Sequence, residues 1–419
     1  MTFIVRLIRH SFIFVLLIAL LLVGIAWLLL RGSMPQYTGE ARISNLTSAV
    51  TIERDALGTA TIHAQNHHDL IRALGFVHAQ ERFFEMDLMR RRAAGELAEL
   101  FGTAALPADR IARSYRMRTR VSTLLTQLPR HEYDMLNAYQ QGVNNGLQAL
   151  AVRPFPYLLT QSQPNDWKME DSLLVVMAMY FMLNDSSKYR EIDLSIMKAS
   201  LPASVYQFLT ANGGQWDAPL QGTPATWPSL PTADEINLQT LEPELQPHDY
   251  QQNGNMPGSN SFAVSSALTH SGALVANDMH LELKVPSIWF RTRLIYPDSK
   301  NSDQSHDITG VSLPGMPAII VGSNRHIAWS FTNSYGDFAD WVRVTLDPHE
   351  PARYLSSMGW QPLTTYHETL QVKDAPDEQI IVLESEWGPI LAKDFDGTPL
   401  ALAWTALRSN AINLKLAEL

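Results

Sequence analysis

Residues 257–264 read PGSNSFAV, and in this stretch a glycine–serine step leads directly into an apolar, strand-like run. The segment before it, 201–258, contains no Lys or Arg, whereas prolines, glycines and carboxylates accumulate there. A segment of this composition buries too little apolar surface to fold well. The sequence therefore predicts that Ser259 begins a strand at the end of a flexible, cleavable tether.

Composition sets the class of protein. The chain has 419 residues, of which 46% are hydrophobic and 18% charged, so it is globular and large enough for more than one core. Its formal net charge of -10 argues against nucleic acid as a partner. Because cysteine is absent, disulfides, a thiolate nucleophile and cysteine-ligated zinc are excluded, and the histidines form no HExxH pair.

The N-terminal region carries an apolar run, FIFVLLIALLLVGIAWLLL, at residues 12–30. Its length is that needed to cross the hydrocarbon core of a bilayer. Arg6 and Arg9 precede the run and Arg31 follows it, which places the N-terminus in the cytoplasm and the remainder outside. Since no small-x-small cleavage site follows the run, we expect a membrane anchor rather than a removed signal peptide.

The patterns that follow predict an α+β protein, helical first and then sheet-rich. Alternating residues at 50–55 and 59–64 around Leu57–Gly58 predict a hairpin. Helical spacing predicts helices at 70–100, capped by Asp69 and stopped by Gly102, and at 129–150 and 172–201. The predicted strands beyond Ser259 are 261–268, 273–279, 288–296, 319–321, 327–331, 341–346 and 380–383.

Two helical clusters admit more than one interpretation. Residues 90–92 are three consecutive arginines, for which solvation or pairing with nearby carboxylates is favoured over ligand binding. Residues 177–182 are rich in Met and aromatic side chains. Such a cluster is usually core, although it can also line an acyl pocket.

Ser259 lacks the usual sequence context of a serine hydrolase, because the chain contains no G-x-S-x-G elbow. Cleavage of the Gly258–Ser259 peptide bond would give this serine a base of its own. The freed α-amino group, with an unperturbed pKa near ~8, could accept the hydroxyl proton.

Several segments resemble the penicillin acylase (penicillin amidase) family of N-terminal-nucleophile hydrolases, which includes acyl-homoserine-lactone and cephalosporin-type acylases. The segments in the first half are IERD (52–55), IHA (62–64), ALGFVHAQERFFEMD (73–87) and RRAAGELAE (91–99). Those in the second half are GSNSFAV (258–264), NDMHL (277–281), VSLPGMP (311–317), GSNRHIAW (322–329) and TNSYGDFAD (332–340). Together they cover most of the chain after the apolar run.

The resemblance implies a site. Gly258–Ser259 matches the cleavage site, with Ser259 as nucleophile, and the main-chain N–H of Asn333 matches an oxyanion donor. His280 falls where the family places a residue that arranges nucleophile and substrate, in a segment where Met279 replaces the usual proline. Taken alone, His280 would be interpreted as a packed polar side chain beside an acidic neighbour.

The resemblance also implies a structural calcium ion, bound by Glu191, Asp337, the carbonyl of Ala339, and Asp340. Calcium needs about 6–8 oxygen ligands, so other parts of the chain would have to contribute. Without the resemblance, the aspartates would be interpreted as turn formers and Glu191 as an exposed helix residue.

The family's second oxyanion donor, an asparagine side chain, has no counterpart, since Asn410 and Asn413 lie too early. Residues 404–419 read as a strand end entering a helix. We therefore expect the N-terminal portion of a precursor, or zymogen, that would not mature or hydrolyse amides efficiently alone. Its parts are a membrane anchor or signal segment (1–34), a helical α-subunit region (35–210), an acidic spacer (211–258) and the start of an αββα catalytic β-subunit (259–419).

The predicted function is hydrolysis of linear amide bonds in small N-acyl compounds of the penicillin or acyl-homoserine-lactone type. The predicted location is the periplasmic side of the inner membrane, and the predicted partners are the substrate, the membrane and the two chains of the processed precursor. The alternatives are a non-catalytic, membrane-anchored binding or assembly protein on the same scaffold, and a Ser-His-Asp esterase, which the missing elbow disfavours.

Overall fold

The computed structural model describes residues 2–184, 187–211, 213, 219, 221–223, 226–237, 258–269, 271–281, 283–298, 304–334 and 336–418. Most of the predicted spacer, 211–258, therefore lies outside the described residues. The helices are Thr2–Gly32 (α1), His67–Ala94 (α2), Ala98–Phe101 (α3), Leu106–Ser114 (α4), Met117–Leu125 (α5), Arg130–Gln148 (α6), Phe155–Leu159 (α7), Met169–Asn184 (α8), Ser187–Ser200 (α9) and Ala203–Leu209 (α10).

Strands dominate the second half, as the sequence predicts. They are Thr51–Arg54 (β1), Ala60–His63 (β2), Gly258–Val264 (β3), Leu274–His280 (β4), Phe290–Pro297 (β5), Ser305–Ser312 (β6), Ile319–Ser323 (β7), Ala328–Trp329 (β8), Ala339–Arg343 (β9), Arg353–Ser356 (β10), Gly359–Pro362 (β11), Thr364–Leu370 (β12), Glu378–Glu384 (β13), Ile390–Lys393 (β14) and Pro399–Trp404 (β15). Each predicted strand overlaps one of these.

Helix α1 carries the apolar run and stands apart from the core. Its segment 3–32 is long and apolar enough to cross a membrane, and none of the most apolar window is buried against the rest of the protein. At its end, the Val152 N–H donates to the Gly32 carbonyl, and Ser33 Oγ donates to the Arg153 carbonyl. Length and composition alone make α1 a candidate membrane span.

Helix α2 begins and ends at residues other than those predicted. Asn66 caps it by accepting a hydrogen bond from the Asp69 N–H, and Gly95 ends it in the left-handed region at φ 68°. The buried Asp69 carboxylate instead accepts hydrogen bonds from the N–H groups of Thr47 and Ser48. Both asparagine and aspartate can cap a helix, so the choice between them depends on this long-range contact.

Close packing of α2 on α6 requires glycine. A Cβ at Gly142 would lie 1.9 Å from the Arg72 carbonyl oxygen, and one at Gly146 would lie 2.3 Å from the Phe76 carbonyl oxygen. At these distances any side chain would force the two helices apart. The two glycines thus let the backbones of α2 and α6 approach directly.

The arginines at the end of α2 are mostly buried. Arg90 pairs with Asp87 and Asp171, and Arg91 pairs with Asp87 and Glu99. Burial opposes ionisation of Asp87, but the two guanidinium groups outweigh it and lower the pKa of this carboxyl. Pairing with carboxylates is thus confirmed for Arg90 and Arg91, whereas Arg92 is exposed.

The N-terminal hairpin is part of a sheet formed mainly by later strands. Among the described residues, six strands pair in the order β1-β2-β5-β6-β7-β8, and β2 and β5 are parallel. The hairpin prediction is confirmed, with Ile52 opposite Ile62 and the Asp55 carboxylate accepting from the N–H groups of Leu57 and Thr59. One buried core contains residues from before and after the spacer, so the two regions fold against each other.

The remaining described strands form small sheets, namely the pairs β3-β4, β10-β11 and β12-β13 and the three-stranded β14-β15-β9. The fold is therefore a mixture of helices and sheets, as predicted. The Met and aromatic cluster of α8 lies in the core, where Met177 and Phe181 are buried. Of the helix predicted after residue 404, the structure has only short 3-10 turns, at Thr405–Leu407 and Lys415–Glu418.

Candidate active site

Strands β3 and β4 form the hairpin that carries Ser259. They are antiparallel, with Gly258 opposite His280, Ser259 opposite Met279 and Ser261 opposite Asn277. Side chains alternate between the faces of a sheet, and directly opposed residues share a face. Ser259 and Asn277 therefore lie on one face of the hairpin, and His280 lies on the other.

Ser259 and Asn333 are brought together although they lie 74 positions apart in the sequence. The main-chain N–H of Asn333 donates to Ser259 Oγ at 2.8 Å, a normal hydrogen-bond length. The Asn333 side chain reaches in the other direction, with Nδ2 3.4 Å from the Leu183 carbonyl oxygen at the end of α8. The loop after β8 is thus connected both to the serine and to the helical region.

Two further contacts hold this loop against the same hairpin. Ser261 Oγ and Ser330 Oγ are 2.5 Å apart. Asn277 Nδ2 donates to the Asn260 carbonyl at 2.8 Å and to the Phe331 carbonyl at 3.0 Å. Sequence reasoning missed these contacts, although Asn277 begins the NDMHL segment and could have been singled out for that reason.

His280 lies beside Gly258 rather than beside the serine hydroxyl. A Cβ at Gly258 would be 3.1 Å from His280 Nδ1, and His280 Nε2 lies 2.9 Å from Asp278 Oδ2. This pair is largely exposed, with side-chain exposures of 50% for His280 and 70% for Asp278, so the interaction contributes little to stability. The structure groups His280 with the predicted cleavage junction.

The residues predicted to bind calcium lie on helix α9 and in and just before strand β9. Helix α9, which carries Glu191, packs on β9, where Trp341 Nε1 donates to the Lys188 carbonyl at 2.6 Å. Ala339 is buried in β9, whereas Asp337 and Asp340 are exposed. Within the described ranges, no group of three or more His, Asp or Glu side chains could hold a metal ion. A calcium site would also use carbonyl oxygens such as that of Ala339, and calcium remains a prediction.

A buried histidine that the sequence did not single out as functional lies at the centre of the fold. His78 is fully buried, with Nδ1 2.7 Å from the Tyr139 hydroxyl and Nε2 2.9 Å from Ser312 Oγ. The Tyr139 oxygen also accepts from the Gly315 N–H at 2.9 Å. Burial, and secondarily the charge of Arg82, lowers the pKa of His78 to about 3. His78 is thus a neutral structural link between α2, α6 and β6.

Comparison with known proteins places the chain in a family. The family model described as penicillin amidase matches residues 49–417, which is most of the chain. The chain belongs to the penicillin amidase family. The match includes Ser259, His280 and Asn333 as well as the buried network around His78, so it extends over both the helical and the sheet-rich regions.

Curated relatives within the penicillin amidase family carry two kinds of name. The acyl-homoserine lactone acylase QuiP of Pseudomonas aeruginosa is 29% identical over 386 residues, covering 86% of this chain and 42% of that protein. The penicillin acylase 2 proenzyme of a Pseudomonas species is 28% identical, covering 91% and 48%. The penicillin G acylase of Escherichia coli is 24% identical, covering 86% and 49%. The chain thus spans somewhat less than half the length of these relatives.

Proposed function

We propose that Ser259 is the nucleophile of an amide hydrolase that acts on linear N-acyl compounds, and that cleavage of the Gly258–Ser259 bond exposes it. The observation that carries the proposal is the hydrogen bond from the Asn333 N–H to Ser259 Oγ at 2.8 Å. The names of the relatives, acyl-homoserine lactone acylase and penicillin acylase, support the substrate class.

The proposed maturation is an intramolecular acyl shift. Ser259 Oγ attacks the carbonyl carbon of Gly258 and forms a C–O bond, and the C–N bond then breaks as the Ser259 nitrogen takes the hydroxyl proton. Water hydrolyses the resulting ester, leaving a carboxylate on Gly258 and a free amine and hydroxyl on Ser259. Glycine imposes little steric cost on attack at its carbonyl, and His280 Nδ1 lies near Gly258.

In the proposed turnover, the new α-amine accepts the proton of the Ser259 hydroxyl as Oγ attacks the amide carbonyl of the substrate. The oxyanion accepts a hydrogen bond from the Asn333 N–H, and a single such donor contributes about 3 kcal/mol. The leaving amine takes the proton, and water then hydrolyses the acyl ester to release the carboxylic acid and restore the serine.

We also propose an architecture for the protein and a location in the cell. The strands around Ser259 would belong to an αββα sandwich, and the cleaved parts would remain together as two chains, since residues from both share one core. Helix α1 would hold the protein in the inner membrane with Ser259 on the periplasmic side. Calcium would have a structural role only, and no step of the proposed reaction depends on it.

The decisive experiment compares Ser259→Ala with Ser266→Ala, an exposed serine in the turn after β3. Any maturation, even inefficient, should appear in mass analysis as a fragment beginning Ser-Asn-Ser-Phe in the unchanged chain and in Ser266→Ala, but not in Ser259→Ala. Chromatography should detect the free amine released from an acyl-homoserine lactone or a penicillin only where this fragment forms. Amide hydrolysis by the Ser259→Ala variant would refute the proposed mechanism.

A further inference from the structure

We infer that Asn277 is a positioning residue that sets the distance between Ser259 Oγ and the Asn333 N–H. This inference rests on the proposed role of Ser259. In the hairpin, Asn277 lies opposite Ser261 and hence on the face that carries the Ser259 hydroxyl. The loop that contains Asn333 contacts this same face.

The Asn277 carboxamide uses both hydrogens of its amino group to join two segments. One hydrogen bond goes to the Asn260 carbonyl, next to the serine in β3, at 2.8 Å. The other goes to the Phe331 carbonyl, two residues before Asn333, at 3.0 Å. Because the two N–H bonds lie in one rigid plane, these two carbonyls are held at a set separation.

The orientation of the carboxamide is unambiguous. If nitrogen and oxygen were exchanged, Asn277 Oδ1 would face two carbonyl oxygens, and neither could donate a hydrogen bond. Asn277 Oδ1 itself is buried and has no hydrogen-bond partner in the part of the chain that the structure describes. An unsatisfied buried acceptor is costly, so the two hydrogen bonds donated by Nδ2 must hold the carboxamide in this orientation.

Apart from the Ser259–Asn333 hydrogen bond, the described residues join the hairpin to this loop on that face through one other side-chain contact, which is much less specific. Ser261 and Ser330 meet hydroxyl to hydroxyl at 2.5 Å, and a hydroxyl rotates freely about its bond. The planar amide of Asn277 therefore fixes the separation between the hairpin and the loop, which the rotating hydroxyl pair does not. It touches neither the Ser259 hydroxyl nor the Asn333 N–H, and it acts on their separation through the backbone on each side.

The first test is hydrogen exchange in the complete 419-residue chain, comparing Asn277→Asp and Asn277→Ala with the unchanged protein. Asn277→Asp keeps the shape but replaces two donors by an acceptor that repels both carbonyls. We expect the Asn333 amide to exchange about fivefold to tenfold faster in both variants, as for the loss of one or two hydrogen bonds. The exchange rates of the α6 amides should be unchanged, which would show that the fold is intact.

The matched control is Asn324→Asp, because Asn324 Oδ1 accepts from the N–H groups of His326 and Ile327 and an aspartate can do the same. This control makes the same change of charge in the segment just before β8. Unchanged exchange of the Asn333 amide in the Asn277 variants, or an equal increase in Asn324→Asp, would overturn the inference.

The second readout separates positioning from general stability. In the Asn277 variants, cleavage of the Gly258–Ser259 bond should be slower and kcat should be lower, while KM stays unchanged. Both losses should be larger for Asn277→Asp than for Asn277→Ala. A loss confined to KM would contradict a positioning role. If a Ser259→Ala variant still cleaves and turns over, the proposed function fails, whereas the exchange measurement still decides whether Asn277 holds the loop.

Discussion

The buried His78 network predicts that the protein loses stability in mild acid. The pKa of His78 falls from 6.5 to about 3 on folding, chiefly because burial disfavours the imidazolium. The unfolded chain therefore binds a proton between these two values that the folded chain does not. Stability is fully present above the unfolded pKa, and it decreases as the pH falls from there towards the folded pKa.

The expected loss follows from the two pKa values. Between about pH 7 and about pH 5, protonation of the unfolded state at this one residue costs about 2 kcal/mol of unfolding free energy. The assay is urea unfolding in mild detergent at several pH values, comparing the unchanged chain with His78→Gln. The variant cannot titrate but can still hydrogen-bond to the Tyr139 hydroxyl and Ser312, so its stability should depend less on pH by this amount.

Absolute stability is not the criterion, because the substitution also disturbs packing. The difference in pH dependence between the two proteins isolates His78, since both retain His67, the pKa of which burial lowers to about 4. Identical pH dependence of the two proteins over this range would refute the assignment of His78 as a buried neutral link.

Three further predictions concern packing, charge and metal. Gly142→Ala should lower the free energy of unfolding by about 1–3 kcal/mol in urea titrations, because its Cβ would lie 1.9 Å from the Arg72 carbonyl oxygen. Asp171→Asn should cost about 3–5 kcal/mol in the same assay, because the fully buried carboxylate pairs with Arg90 and Arg118. If calcium binds near Asp340, a chelator should lower the melting temperature of the unchanged protein but not that of Asp340→Asn.

Each of these has a matched control within the chain. Gly272→Ala places its Cβ in open space and should change stability little, so an equal loss there would contradict the helix-contact explanation. Asp134→Asn breaks an exposed pair with Arg130, which is worth about 0.3–0.5 kcal/mol, and a cost as large as that of Asp171→Asn would contradict the burial argument. A chelator effect shared equally by Asp340→Asn would place any calcium elsewhere.

Local sequence patterns predicted the elements whose formation depends on residues close together in the chain. The β1–β2 hairpin follows from alternation and a turn, and the long apolar helix follows from composition. Strand β6, SHDITGVS, was missed because it is polar and contains a glycine, so neither alternation nor β propensity marks it. It becomes a strand because β5 and β7 pair with it on either side.

For the candidate site, the sequence predicted which residues take part but not how all of them are arranged. Motif resemblance selected Ser259, Asn333 and His280, and the structure brings the first two together. Resemblance could not show that His280 lies on the face opposite Ser259, since that depends on the register of β3 against β4. Nor could it show that Asn277 joins two carbonyls from separate segments.

Sequence by itself determined that a helical region precedes a sheet-rich one, the apolar N-terminal helix, and the family in which Ser259 would act. These depend on periodicity, composition and short motifs, whose physical causes lie within a few residues of one another. Tertiary structure alone decided which cap starts α2, that α2 and α6 touch through glycine, and that the Asn333 N–H lies 2.8 Å from Ser259 Oγ. Those outcomes depend on contacts between residues far apart in the chain, whose geometry is fixed only when the common core has formed.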